Sequence, residues 1–285
     1  MKILVTGVKG QLGYDVCRTL SARDIENRGV DIEDFDITDA DAVNAYIESY
    51  RPDAVIHCSA FTAVDRAEDD EALCTRVNAD GTRNIARAAN AVGAKMMYIS
   101  TDYVFPGIGE QFYTPDDPTG PLSVYGKTKL MGEEAVREVS DRHFIVRISW
   151  VFGKNGNNFV KTMLRLAETK TDLNVVCDQI GSPTYTYDLS RLLCDMIVTE
   201  RYGTYHATNE GVCSWAEFAA EIMKQGNKST VIHPIPSSEY PTRASRPLNS
   251  RMSKDKLEKN GFARLPNWKD ALTRYLSELC KDPNA

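Results

Sequence analysis

At 285 residues the chain can bury a sizeable core, as one large domain or two small ones. Hydrophobic residues at 42% and charged residues at 26% are ordinary for a soluble globular protein, and a net charge of −6 argues against bulk binding to nucleic acid or to an anionic membrane. No segment has the length and apolarity of a transmembrane helix, and the opening MKILVTG lacks the long apolar core of a secretory signal. Seven cysteines scattered singly fit reduced thiols in a cytoplasmic protein better than a disulfide framework. Four isolated histidines make no metal-ligand spacing, so no metal is expected.

In chain order, KILVTG at 2–7 reads as a strand that runs directly into TGVKGQLG, with Gly7, Gly10 and Gly13 at three-residue intervals. So tight a turn needs residues that tolerate unusual backbone angles and let a ligand approach the main chain. The helix that follows aims unpaired N–H groups at the turn, where an anion such as a dinucleotide pyrophosphate is favoured. Glycine spacing alone is weak; its place between an N-terminal strand and a helix makes it informative. Asp31, 18 residues past Gly13, falls near the end of an expected second strand. A carboxylate there accepts from an adenosine ribose and repels a 2′-phosphate, favouring NADH, while Arg28 and Lys9 leave NADPH open.

The runs DAVIHCSA at 53–60, KMMYIS at 95–100 and HFIVRIS at 143–149 are nearly continuous in apolar character, as parallel strands covered on both faces are. Between two of them Leu73, Val77, Gly81, Ile85, Ala88, Ala89 and Val92 fall near one helical stripe. The alternation predicts an α/β fold, a Rossmann-type doubly wound parallel sheet. The cofactor-binding domain is expected over 1–150, with a smaller, mainly substrate-binding lobe over 151–285 that has segments free to return to the first.

KMMYIS leads into Thr101, at a strand end where side chains project into the ligand crevice. In VYGKTKLMGE, Tyr125 and Lys129 lie one turn apart on one helical face. A free tyrosine, with a pKa of about 10, is a poor acid or base at neutral pH. A nearby ammonium and a cationic nicotinamide ring would favour the phenolate and bring the pKa toward the working range. As a pair alone these are two polar residues on a surface helix; beside a nucleotide turn and a strand-end threonine they read as catalytic.

Further on, 158–169 and 184–197 read as helices, and Ser214 with Glu217 has capping-box spacing ahead of another. The stretch 232–250 carries four prolines and cannot be one regular element, and a last helix is expected near 267–280.

The GxxGxxG turn at 7–13, Thr101 and Tyr125-x-x-x-Lys129 together resemble the extended short-chain dehydrogenase/reductase family. Within it, VTGVKGQLG, FTAVDRAE, ISTDYVFPG, VYGKTKLMGE, SWVFGKNGNNFVKTML, DQIGSPT and SRPLNSRMS are most similar to reductases of nucleotide-linked 4-keto sugars, over essentially the whole chain. The resemblance implies reduction of the C4 keto group of dTDP-4-dehydro-L-rhamnose to dTDP-L-rhamnose by NADPH or NADH. Tyr125 would protonate the alkoxide, Lys129 would hold the cofactor ribose and tune Tyr125, and Thr101 would orient the carbonyl. The cofactor would touch Gly7, Gly10, Gln11, Leu12 and Gly13, then Asp31, Asp36 and Ile37, then Ala60, Phe61 and Thr62. Asp102, Trp150, Asn158 and Arg246 would meet the dTDP-sugar, with a buried core aromatic as the rival reading of Trp150 and a helix cap as that of Asn157 and Asn158. Arg243, Arg246 and Arg251 share a loop suited to a diphosphate; the match favours Arg246 and leaves Arg251 undecided.

Dehydratases of the same family carry an Asp-Glu pair after the strand-end threonine. Here Asp102 and Tyr103 follow, so water elimination is not expected. An epimerase, which shares the threonine, tyrosine and lysine, and a non-catalytic nucleotide-binding regulatory subunit of the same fold remain as alternatives. A homodimer is left open.

Overall fold

Along the first strand, β1 (Lys2–Thr6), Ile3 and Val5 point to one face and Leu4 to the other, and all are fully buried. A strand so covered must lie inside a sheet with helices on both sides. The structure, a computed structural model, describes residues 1–281. From β1 the chain passes through α1 (Gln11–Ala22), β2 (Glu26–Val30), α2 (Ala40–Tyr50) and β3 (Ala54–His57). Short helices α3 (Val64–Ala67) and α4 (Glu71–Thr75) lead through a π-helical turn, Arg76–Gly81, into α5 (Thr82–Ala91), β4 (Lys95–Thr101), α6 (Val124–Val139) and β5 (His143–Ile148). Beyond these come α7 (Phe159–Leu166), α8 (Thr186–Ile197), α9 (Trp215–Gln225), α10 (Asp255–Lys259) and α11 (Trp268–Cys280).

The main sheet has the order β2-β1-β3-β4-β5 with Gly203–His206 at the edge, and every pairing is parallel. Residues of α1 and α8 pack on one face with Ile3, Val5 and Val146; those of α2, α5 and α6 pack on the other with Leu4, Val55 and Ile145. The chain reverses direction across the sheet between β2 and β3, which opens a crevice at the carboxyl ends of β1 and β3. Both α8 and Gly203–His206 come from the second half of the chain, so two of its segments pack with the main sheet. The smaller lobe has its own core, including Phe152, Phe218, Trp268 and Tyr275.

One expectation changes. The stripe from Leu73 to Val92 is not one helix: the π-helical turn interrupts it and buries Asn78. The Asn78 side chain bonds the Phe61 backbone and the Thr128 hydroxyl instead of water. Residues 232–250 are not one regular element: their start belongs to a strand, Val231–Ile235, paired in parallel with Asp172–Val176, and a 3-10 turn follows at Ser237–Glu239. Pro234 is tolerated because the sheet has only two strands and one side of each is free. Among the described residues no helix is long and apolar enough to cross a membrane.

Candidate active site

The turn after β1 is built on close backbone approach. Gly7 has φ +72°, and a Cβ on Gly13 would stand 2.3 Å from the Gly7 carbonyl oxygen. The first residue before α1, Gly10, offers no side-chain cap, whereas Asp39, Ser123 and Ser214 cap α2, α6 and α9. The N–H groups at the start of α1 are therefore free for an anion. They face a cavity of about 690 Å³, large enough for a cofactor with part of a substrate. Its walls are the carboxyl ends of all five labelled strands: Thr6 and Gly7, Val30 and Asp31, Cys58 and Ser59, Ser100 and Thr101, Ile148 and Ser149.

Of the expected cofactor contacts, Gly7, Gly10, Gln11, Leu12, Gly13, Asp31, Asp36, Ile37, Ala60 and Thr62 line this cavity. Asp31 accepts from the backbone N–H of Lys9 at 2.8 Å and of Ile32 at 2.9 Å, so its carboxylate also shapes the turn. Phe61 is outside the lining; its N–H donates to Asn78 Oδ1 at 2.8 Å and its carbonyl accepts from Asn78 Nδ2 at 3.2 Å. Asn78 thus fixes the loop that presents Ala60 and Thr62. Sequence reading missed it, because a buried asparagine in an apolar stripe gives no local signal.

Thr101, Tyr125 and Lys129 meet in the same cavity. Ser123 accepts from Gly126 N at 3.1 Å to start α6, and Gly126 lets that start lie against the Tyr103 backbone. This contact brings Tyr125 beside the end of β4, with Tyr103 edge-on to its ring at 5.5 Å. Lys129 is 2% exposed and donates to the Ile99 carbonyl at 2.7 Å. Burial lowers its pKa to about 7, against the pull of Glu133.

The phenol of Tyr125 differs from the expectation. Burial first, and then the Asp102 carboxylate, push its pKa above the usual 10, with the Thr101 hydroxyl opposing. Lys129 does not bring it down because its ammonium is turned to the β4 backbone. Tyr125 is consequently held as a neutral acid. Asp102 is itself raised to about 6 by burial, opposed by hydrogen bonds from Ser250 at 2.5 Å and Thr101 at 2.9 Å.

On the lobe side, Trp150 lines the cavity in a left-handed conformation, φ +50°. Its ring stacks on Trp215 at 3.7 Å and covers Gly181, where a Cβ would collide with it. Trp215, Gln179, Pro247 and Ser250 join the wall. The last three sit in the strings DQIGSPT and SRPLNSRMS, whereas Trp215 reads in sequence as an ordinary helix start.

Asn157 lines the cavity and Asn158 does not: it caps α7 at Lys161 N and donates to Gln11, Gly153 and Tyr275. Arg246 stands outside the lining beside Pro247, paired with Asp65 at 2.7 Å. Arg243 pairs with Asp69, and Arg251 donates to Asn249 within its own loop. Among the described residues no group of three or more His, Cys, Asp or Glu is placed to hold a metal ion.

The glycine cradle, the uncapped helix and the cavity volume fit a dinucleotide. The fold and this site define a Rossmann-type oxidoreductase that uses a nicotinamide dinucleotide. The family described as RmlD substrate binding domain matches residues 1–281, and the chain belongs to it. It is 42% identical to the spore coat polysaccharide biosynthesis protein SpsK of Bacillus subtilis, over 97% of each chain. It is 39% identical to the dTDP-4-dehydrorhamnose reductase of Sinorhizobium fredii, over 98% of each. The crystal structure of dTDP-4-dehydrorhamnose reductase from Bacillus anthracis in complex with NADP superposes with a TM-score of 0.95 at 42% identity, covering 98% of this chain and all of that one.

Proposed function

We propose that the chain reduces the C4 keto group of dTDP-4-dehydro-L-rhamnose to dTDP-L-rhamnose with NADPH or NADH, in dTDP-rhamnose biosynthesis. The observation that carries the reading is a partly buried tyrosine, Tyr125, at one cavity with Thr101 and Lys129. Reduced nicotinamide, when bound, supplies the hydride for C4. The phenol of Tyr125 gives its proton to the carbonyl oxygen as that oxygen gains charge. Thr101, held between Asp102 and the Tyr103 N–H, marks where the oxygen lies. Lys129, on the same helical face and cavity wall, holds the dinucleotide ribose.

Residues 1–150 carry most of the cofactor contacts, and 151–285 most of those to the sugar nucleotide, with Trp150 at the junction and Arg246 toward the diphosphate. The same reading puts the enzyme in the cytoplasm, in keeping with seven free cysteines. The test is purified protein with dTDP-4-dehydro-L-rhamnose and NADH, then NADPH, followed by nicotinamide absorbance and product identification. Stoichiometric oxidation with appearance of dTDP-L-rhamnose supports the reading; folded, dinucleotide-bound protein without oxidation overturns it.

A further inference from the structure

The string FTAVDRAE reaches beyond the cofactor side. Upstream of α3, Ala60 and Thr62 line the cavity and Phe61 is fixed by Asn78. From α3, Asp65 crosses to the loop of the smaller lobe. Its Oδ1 accepts from Ala244 N at 3.1 Å and its Oδ2 from Arg246 Nη2 at 2.7 Å. Just past α3, Glu68 accepts from Val124 N at 2.8 Å, at the first residue of α6 and next to Tyr125. One short helix is therefore tied to the cofactor wall, the catalytic helix and the arginine loop.

A partly exposed ion pair adds little to stability, and Asp65 and Arg246 are 43% and 31% exposed. The geometry is better suited to placing the arginine. A guanidinium has five donors in a rigid fork, and Asp65 engages only Nη2. The second Asp65 oxygen holds the backbone two residues earlier, so loop and side chain are fixed together. Arg246 Nε is buried without a hydrogen-bond partner among the described residues, a donor in want of an acceptor. An arginine fixed before the ligand arrives loses less freedom on binding.

We propose that Asp65 is a positioning residue for the sugar nucleotide, holding Arg246 and the 243–246 loop ready for the diphosphate. The inference rests on the reading that assigns Arg246 to that diphosphate. The opposite role, in which Asp65 competes with the diphosphate for the guanidinium, predicts tighter dTDP binding once Asp65 is lost.

The experiment is calorimetric titration of dTDP into the full chain and its Asp65→Asn, Arg246→Ala and double variants, with NADPH titrated separately and steady-state kinetics alongside. Asp65→Asn is expected to weaken dTDP binding about tenfold and to raise the sugar-nucleotide KM to match, with kcat and NADPH affinity within about twofold. The double variant should bind dTDP no more weakly than Arg246→Ala, since Asp65 acts through the arginine. Unchanged or tighter dTDP binding in Asp65→Asn, or additive losses in the double variant, would overturn the positioning role. A wild-type chain that binds NADPH but not dTDP would instead overturn the underlying choice of substrate.

Discussion

The ammonium of Lys129 stands 4.1 Å over the ring of Tyr98, on the strand that ends at Thr101. A cation so placed is attracted by the ring face, yet it has also left water. Burial wins, and the Lys129 pKa falls from 10.5 to about 7.

That depression makes stability depend on pH with a definite sign. Between pH 7 and 10.5 the unfolded lysine keeps its proton while the folded one has lost it, so this group makes stability rise with pH. The slope approaches about 1.4 kcal/mol per pH unit within that window and vanishes below it. Lys129→Met removes the contribution. Urea unfolding of both proteins at pH 6.5, 8 and 9.5 should show the variant losing ground to wild type as pH rises. Parallel curves would mean that the lysine is not depressed.

Tyr125→Phe tests the acid directly. Because the phenol is held neutral, its loss removes proton donation and leaves the glycine cradle untouched. The expected result is a kcat lower by about 10²–10⁴ with dinucleotide affinity unchanged. In wild type the donor should stay protonated past pH 10, since burial and Asp102 both raise its pKa. A wild-type rate that falls through an ionisation near pH 7 and is traced to Tyr125 would contradict this.

The strands, the glycine turn and the Tyr125–Lys129 face were legible because each depends on local pattern: continuous apolar runs, fixed spacing and one turn of helix. The pattern could not show which carboxylates and amides the fold would spend internally. Asn158 reads equally as a ligand contact or a cap, and the partners that commit it, Gln11 and Tyr275, lie 147 and 117 residues away. The raised pKa of Tyr125 has the same kind of cause. Four-residue spacing says that a lysine is near, but only tertiary structure turns its ammonium toward Ile99 and sets a buried Asp102 close by. The π-helical turn is likewise invisible in the stripe it interrupts, since Asn78 is paid for by contacts with Phe61 and Thr128.

On α6, Glu133 is fully buried and receives both Arg147 Nε and Nη2 at 2.8 Å, Ser100 Oγ at 2.6 Å and Arg137 Nη2 at 2.7 Å. These donors hold its pKa below 4.5 despite burial. The stability it contributes is therefore present above pH 4.5 and is lost as pH falls through the folded value. Arg147→Met should cost about 3–5 kcal/mol at pH 7, because it strands a buried carboxylate with one partly exposed arginine. Replacing Glu133 by Leu in the same chain should recover most of that loss. Denaturant midpoints of wild type and the two variants decide it; a double variant as unstable as Arg147→Met would point to stacking of the guanidinium on Phe105 instead.

Gly13 carries a different demand, since it has an ordinary φ and is constrained only by space. A Cβ there meets the Gly7 carbonyl oxygen at 2.3 Å and its carbon at 2.8 Å, both backbone atoms with no rotamer to change. Gly13→Ala must therefore push the turn away from the start of α1, spoiling the N–H array offered to a pyrophosphate. Overpacking of this kind costs about 1–3 kcal/mol, which a sheet covered on both faces can absorb. Fluorescence titration with NADH should show affinity falling by tenfold or more (about 1.4 kcal/mol per tenfold), with the far-UV circular dichroism unchanged. Retained affinity in a folded Gly13→Ala protein would separate this turn from dinucleotide binding.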